Sequence, residues 1–522
     1  MKYSFPDSVF FMLCCATAIL IGCTSQTEQD SKAGPCGKLY KHVEIKIEEP
    51  DVLHEQEQQR KQVVEKFDKQ GLLYSARVMI DQSDSTLAIP DNAEALIVND
   101  FFVAKTPSKI EFGIIPVKPK FFGNPPGESH LGVWSSWSQG NYDPKTGKFY
   151  AAIGNHQVYD AYLYIVEYDP ANRIMKLSTE INRLLGRQST QMQDGKIHGW
   201  LDFYPPDSPN LWFCTYWCRY PEPTEKDYAT GYQGGYIMSY NVETGDFIDY
   251  GVPMLRSSWP YHRIDTQRGM LYAVGMFGEF LAWDIKEQKT HFAGYLPDCM
   301  GWFERAMMLD SVTGFVYTSN RAESDIERHL VKYDPATNRF TRLECHMPLS
   351  KDKENKKLKN ADHIRAWTAN RGPDGLLWGV TLSGELFSFD PETEKILERG
   401  TNWRGVNRYT TTMARSPRGR YIYYSPGAHG KSYAEGAPVI QYDTLTGKKK
   451  ILAFLFPYYY QKYGYTTGGS FSIKLDEDGK RLFIVMNGAF IDIEDHTRKK
   501  HQDVFGHCSI FLIHIPESER AE

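Results

Sequence analysis

The chain lacks an excess of either charge. Its 60 Lys and Arg stand against 65 Asp and Glu, a formal net charge of −5 at pH 7, which excludes both an acidic disordered chain and a basic nucleic-acid binder. It also lacks the short motifs of several large enzyme classes: there is no Ser nucleophile elbow, no Gly-rich phosphate loop, no close carboxylate pair of the glycosidase kind and no His-Glu-x-x-His. Cysteine is sparse, nine in 522 residues, and its spacing forms no strong metal pattern. Cys214 and Cys218 would need distant partners such as Cys345, His507 or Cys508 to complete a four-ligand zinc site, so buried free thiols are the expectation. Hydrophobic residues, by contrast, make up 41% of the chain, enough for a large core.

The first residues stand apart from the rest. Lys2 is followed by the apolar run VFFMLCCATAILI and then by Leu20-Ile21-Gly22-Cys23. A basic start and a short apolar stretch read as an export signal over residues 1–22, too short for a membrane-spanning helix. Leu-x-Gly-Cys resembles the lipobox of bacterial lipoproteins, which implies that Cys23 is acylated with a lipid such as palmitate and becomes the anchored N-terminus. Thr24 and Ser25 follow it in place of an aspartate, which by the same resemblance implies an outer-membrane lipoprotein, on the periplasmic side or the cell surface, in an oxidising compartment.

Residues 23–107 read as a tether and N-terminal extension, with DVLHEQEQQRKQVVEKFDKQG spaced as a short surface helix. From 108 to 518 one theme repeats: an apolar-aromatic run, a polar turn, and a second apolar run. The turns are YDPKTGKFY, PPDSPNLWF, IDTQRGMLY, LDSVTGFVY, GPDGLLWGV, SPRGRYIYY and DEDGKRLFI, and a second turn such as EYDPANR or YDPATNR follows most of them. Seven four-stranded units without helices between them predict an all-β fold, a seven-bladed β-propeller with a short N-terminal extension. The last repeat has no clear fourth strand, so the segment SKIEFGIIPVK is expected to enter it and close the ring.

In a propeller the first strand of each blade lines the central channel and starts on the face where the second strand ends. First-strand starts fall at His130, His198, Tyr261 with His262, Glu304 with Arg305, His363 with Arg365, Arg408 with Tyr409, and Tyr465. Second-strand ends on that face fall near His156, Arg219, Arg321 and His429. Acidic residues are scarce there, Glu304 being the main exception, which disfavours a hard-metal lactonase. A mouth of His, Arg and Tyr suits an anionic sugar, with Trp134, Trp137, Trp200 and Trp259 as candidates for stacking on pyranose faces. Those parts also serve eliminative cleavage of a polyuronate: a cation neutralises the carboxylate, a His or Tyr base takes the C5 proton, and a Tyr or His protonates the leaving O4.

At this point the sequence resembles the ulvan lyases built on a seven-bladed propeller. His130, His156, Arg219 and Tyr261 stand in matching order on matching strand ends, over roughly residues 125–265. The resemblance implies that His130 and His156 act as base or carboxylate neutraliser, that Arg219 binds the carboxylate, and that Tyr261 is acid or base. His198, where that group has its first tyrosine, departs from the pattern, and Tyr204 lies further along. His198, His262, Arg305, His363, Arg365, Arg408 and Tyr409 are the expected substrate-binding set. The mechanism requires no cofactor, although a structural zinc or calcium is compatible with it. The expected partners are an acidic polysaccharide and, through Cys23, a membrane, with no nucleic acid and a monomeric state. A propeller that binds a glycan or a protein without cleaving it is the alternative.

Overall fold

The hairpins are closed by their own side chains. In the turn headed by Asp143, the carboxylate accepts the Lys145 N–H (3.0 Å) and the Thr146 hydroxyl (2.6 Å), and the Gly147 N–H returns to the Asp143 carbonyl (2.9 Å) at φ +71°. Asn241, Asp265, Asp310 and Asp443 likewise accept through their carbonyls from the glycine four residues on. In four other hairpins that position holds Arg173, Gln288, Asn338 or Glu394, at φ between +50° and +56°, a left-handed conformation that costs a side-chain-bearing residue roughly 1–2 kcal/mol. The polar turn residues are therefore satisfied within each turn, and the repeat they mark is structural.

The computed structural model describes residues 37–42, 61–62, 64–117, 134–155, 161–188, 190–217, 222–297, 305–319, 328–350, 363–493 and 503–520. Seven small antiparallel sheets are arranged as a seven-bladed β-propeller. The inner strands of blades 3 to 7 are Tyr261–Asp265, Met308–Leu309, Ile364–Trp367, Ala414–Arg415 and Tyr465–Leu475. Those of blades 1 and 2 are broken in two, Trp134–Ser135 with Asn141–Tyr142 and Asp194–Lys196 with Asp202–Phe203. The ring closes as the sequence predicts: Lys109–Ile114 pairs antiparallel with Ser509–His514 of blade 7, with Phe112 opposite Phe511.

The segment before residue 108 does more than lead into the fold. Lys38–Tyr40 adds an outer strand to blade 2, Val78–Asp81 one to blade 7, and Phe101–Val103 a parallel one to blade 6. Residues 61–62 and 64–67 are helical, within the stretch expected to form a surface helix. The interior is strongly aromatic, with Trp259, Trp367, Trp378 and Trp403 all fully buried.

Irregularities of the inner strands decide what faces the axis. In blade 5 the register slips between Ile364 and Ala366, which takes Arg365 out of the ladder, and in blade 7 it slips between Ser470 and Ser472, which does the same for Phe471. A bulge of this kind re-aims the side chain of the extra residue. The breaks in blades 1 and 2 contain Trp137 and His198, and they are tied together by Gln139 N–H to the Gly199 carbonyl (2.8 Å) and Leu201 N–H to the Gln139 carbonyl (3.0 Å). His198 therefore lies inside a broken inner strand that begins at Asp194, and not at a strand start.

Candidate functional site

Six blades bring residues of their inner-strand regions together. Trp137 stacks on His198 (centroids 6.0 Å, interplanar 12°) and meets Phe471 edge-on at 4.4 Å. The Arg365 guanidinium lies 5.5 Å from the Phe471 ring and 4.8 Å from that of Tyr409. Tyr409 is held from two sides, its hydroxyl oxygen accepting Arg365 Nε at 2.7 Å and Arg305 Nη1 at 2.9 Å.

The electrostatics of this cluster are one-sided. Burial alone would raise the Tyr409 phenol, but the charges of Arg305 and Arg365 and their hydrogen bonds outweigh it, and the net direction is down. Burial also holds His198 well below its ordinary value, and Arg365, Arg305 and Lys196 push the same way, so its imidazole is neutral at pH 7. Arg365 is 1% exposed, has no carboxylate partner among the described residues, and its Nη2 makes no hydrogen bond. A buried cation without a counter-ion favours whatever anion can reach it.

A pocket of ≈360 Å³ opens beside the cluster, walled by Arg305, Arg408, Tyr409, His429 and Lys431, with Leu382 and Val406 as its apolar side. Asp503 is the one carboxylate among the described lining residues, and it lies 3.5 Å from both His429 Nδ1 and Lys431 Nζ. The wall loop is built firmly: the buried Glu435 carboxylate accepts the Trp403 indole N–H (2.8 Å) and the backbone N–H groups of Val406 (2.8 Å) and Asn407 (3.3 Å). Gly405 passes so close that an added Cβ would lie 2.2 Å from Glu435 Oε2, so a side chain there would have to displace the carboxylate that holds the loop. Arg408, next along, donates through Nε to the Gly405 carbonyl (3.0 Å).

The residues picked out from the sequence divide into three groups. His130, His156, Arg219, Cys23 and Glu304 lie outside the described residues. Arg305, Arg408 and Tyr409 line the pocket, with Arg365 behind Tyr409 and His198 in the same axial cluster. Tyr261, His262 and His363 go elsewhere. The Tyr261 hydroxyl accepts two indole N–H groups, from Trp367 (2.6 Å) and Trp200 (2.7 Å), inside a hydrophobic cluster, and burial pushes it up to about 12. His262 is wholly buried against Gly199 with Nε2 2.8 Å from the Trp200 carbonyl, and burial takes it down to about 3. His363 is 9% exposed, behind Leu382, whose N–H its carbonyl accepts (3.0 Å).

One expectation is overturned. Trp134, Trp137, Trp200 and Trp259 are each at most 5% exposed, so their faces are covered by protein and none offers a sugar platform. Lys431 and Asp503 were not foreseen, although the glycines of the turn around His429, Gly427 and Gly430 with φ near +80°, mark a tight loop at the mouth. Cys214 and Cys508 are buried free thiols and Cys345 is a half-buried one. Among the described residues no three His, Cys, Asp or Glu side chains converge as metal ligands. No protein-family profile matches the chain, and comparison with curated proteins finds no match.

Proposed function

We propose that the protein is a polysaccharide lyase that cleaves an acidic, uronate-containing polysaccharide, sulfated or plain, by β-elimination. The observation that supports this reading is the pocket: Arg305, Arg408 and Lys431 on the wall, with Arg365 behind it and a single carboxylate among the described lining residues. Neutralising a uronate carboxylate makes the neighbouring C5 proton acidic, and that is the difficult part of the reaction. The resemblance to propeller ulvan lyases, with its roles for His130, His156 and Arg219, points the same way from a different part of the chain, while the role it implies for Tyr261 is set aside because that hydroxyl is enclosed by Trp200 and Trp367 in the core. The protein acts in the cell envelope, anchored through lipidated Cys23 to the outer membrane.

The test is to incubate purified protein with a panel of polyuronates and follow the ultraviolet absorbance of the unsaturated product. Absorbance growth with any member supports the reading. Its absence across the panel, with binding retained, would leave a non-enzymatic glycan-binding propeller. Anchoring is checked separately: Cys23→Ala should release the protein from membranes or leave it unprocessed, and unchanged membrane fractionation would exclude that anchor.

A further inference from the structure

Tyr409 reaches the pocket with its hydrogen-bonding capacity unevenly used. Its oxygen accepts two N–H bonds, from Arg365 Nε (2.7 Å) and Arg305 Nη1 (2.9 Å). A phenol oxygen accepts up to two bonds and donates one, so both acceptor positions are filled while the proton has no acceptor among the described residues. Tyr409 is part of the pocket wall together with Arg305, and Arg365 is buried behind it. The pocket that Tyr409 lines is the open side by which a substrate proton can arrive or leave. His429, the other titratable ring on the wall, has its Nδ1 3.5 Å from Asp503 and its ring centroid 6.2 Å from that of Tyr409.

We infer that Tyr409 carries the proton in both halves of the proposed elimination, and that the substrate is therefore a uronate whose C5 hydrogen and C4 oxygen lie on the same face of the ring, as in glucuronate and mannuronate. The inference rests on the lyase reading above. Ionised Tyr409 takes the C5 proton, and the electron pair of that C–H bond becomes the C4=C5 double bond. The C4–O4 bond breaks and its pair leaves with O4. The Tyr409 O–H then gives its proton to O4, which departs as the hydroxyl of the neighbouring sugar, and the phenolate is restored without any co-reactant. One atom can serve both positions only if they share a face. In galacturonate and iduronate they do not, and a second group across the ring would be needed. Against burial, the two guanidinium groups shift the phenol's ionisation downward, which favours its acting as a base.

The experiment compares wild type and Tyr409→Phe on polymers of the two configurations, following unsaturated product. Tyr409→Phe should lower kcat by about 1000-fold with KM changed only a few-fold, and the wild type should cleave a galacturonate polymer at least about 100-fold more slowly than a glucuronate or mannuronate one. A Tyr409→Phe rate within about tenfold of wild type, or equal wild-type rates on both configurations, would overturn the inference while leaving the lyase reading intact. No product from any uronate would remove both. Should Tyr409→Phe fail to unfold cooperatively, Arg305→Gln replaces it: losing one charged donor should move the acidic limb of the kcat profile to higher pH, and an unmoved limb counts against Tyr409.

Discussion

Two tyrosines of the inner ring are held in the same way by opposite kinds of neighbour. Tyr261 and Tyr409 each accept two N–H bonds at 2.6–2.9 Å. For Tyr261 the donors are neutral indoles, and burial wins, pushing the phenol up to about 12. For Tyr409 they are guanidinium groups, and charge wins over burial. Hydrogen-bond number is the same, so the sign of the shift is set by the charge on the donor. What this teaches is that a polar residue at a strand start acquires a chemical role only from the neighbours the next blades bring to it.

The comparison can be broken most directly at Arg365. Arg365→Met removes one charged donor to Tyr409 and should lower kcat by roughly 100-fold or more, with Tyr409 ionisation, read from phenolate absorbance, returning toward the ordinary phenol range. Next in size is the pH dependence. The proton acceptor is the ionised phenol, so the rate should be full above the lowered Tyr409 value and fall tenfold per pH unit below it. A pH–rate profile flat down to the carboxylate range would remove Tyr409 as the base. Glu435→Gln loosens the loop that carries Arg408 without touching Tyr409, and steady-state kinetics should show KM raised about tenfold at nearly constant kcat, as for uniform binding. Smallest in rate is Tyr261→Phe, expected within about threefold of wild-type kcat because a donor-saturated phenol in the core takes no part in proton transfer. It should instead cost about 1–3 kcal/mol in urea unfolding, since two buried indole N–H groups lose their acceptor.

Much of the fold was legible because its signals are local. An Asp or Asn that accepts from its own turn, followed by a residue tolerant of positive φ, marks a hairpin wherever it occurs, and the missing fourth strand of the last repeat points to the segment 108–118, within which the strand spans Lys109–Ile114. The outer strands at 38–40, 78–81 and 101–103 were not legible, because three or four residues against an existing sheet edge carry no periodicity of their own. The site was half legible. Strand starts can be counted from the turns, and Arg305, Arg365, Arg408 and Tyr409 were found that way. Side-chain direction cannot: the bulges that free Arg365 and Phe471 reverse the alternation on which facing is judged, and the broken strand of blade 2 moves His198 away from its apparent position. Tyr261 and His262 have the same polarity as Tyr409 but face the core, and the four tryptophans are consumed by packing.

The closing strand also fixes an order of events. Glu111 and His514, 403 positions apart in the chain, meet at 2.8 Å across the seam of blade 7. A chain synthesised from its N-terminus holds this strand without its partner while all the other blades are made, and the contact that ends the wait closes a loop of nearly the whole propeller, with a correspondingly large loop-closure cost. Until then blade 7 has an open edge able to pair with another chain. Folding should therefore be slow and sensitive to concentration at its final step, and a ring once closed should open first along the same seam.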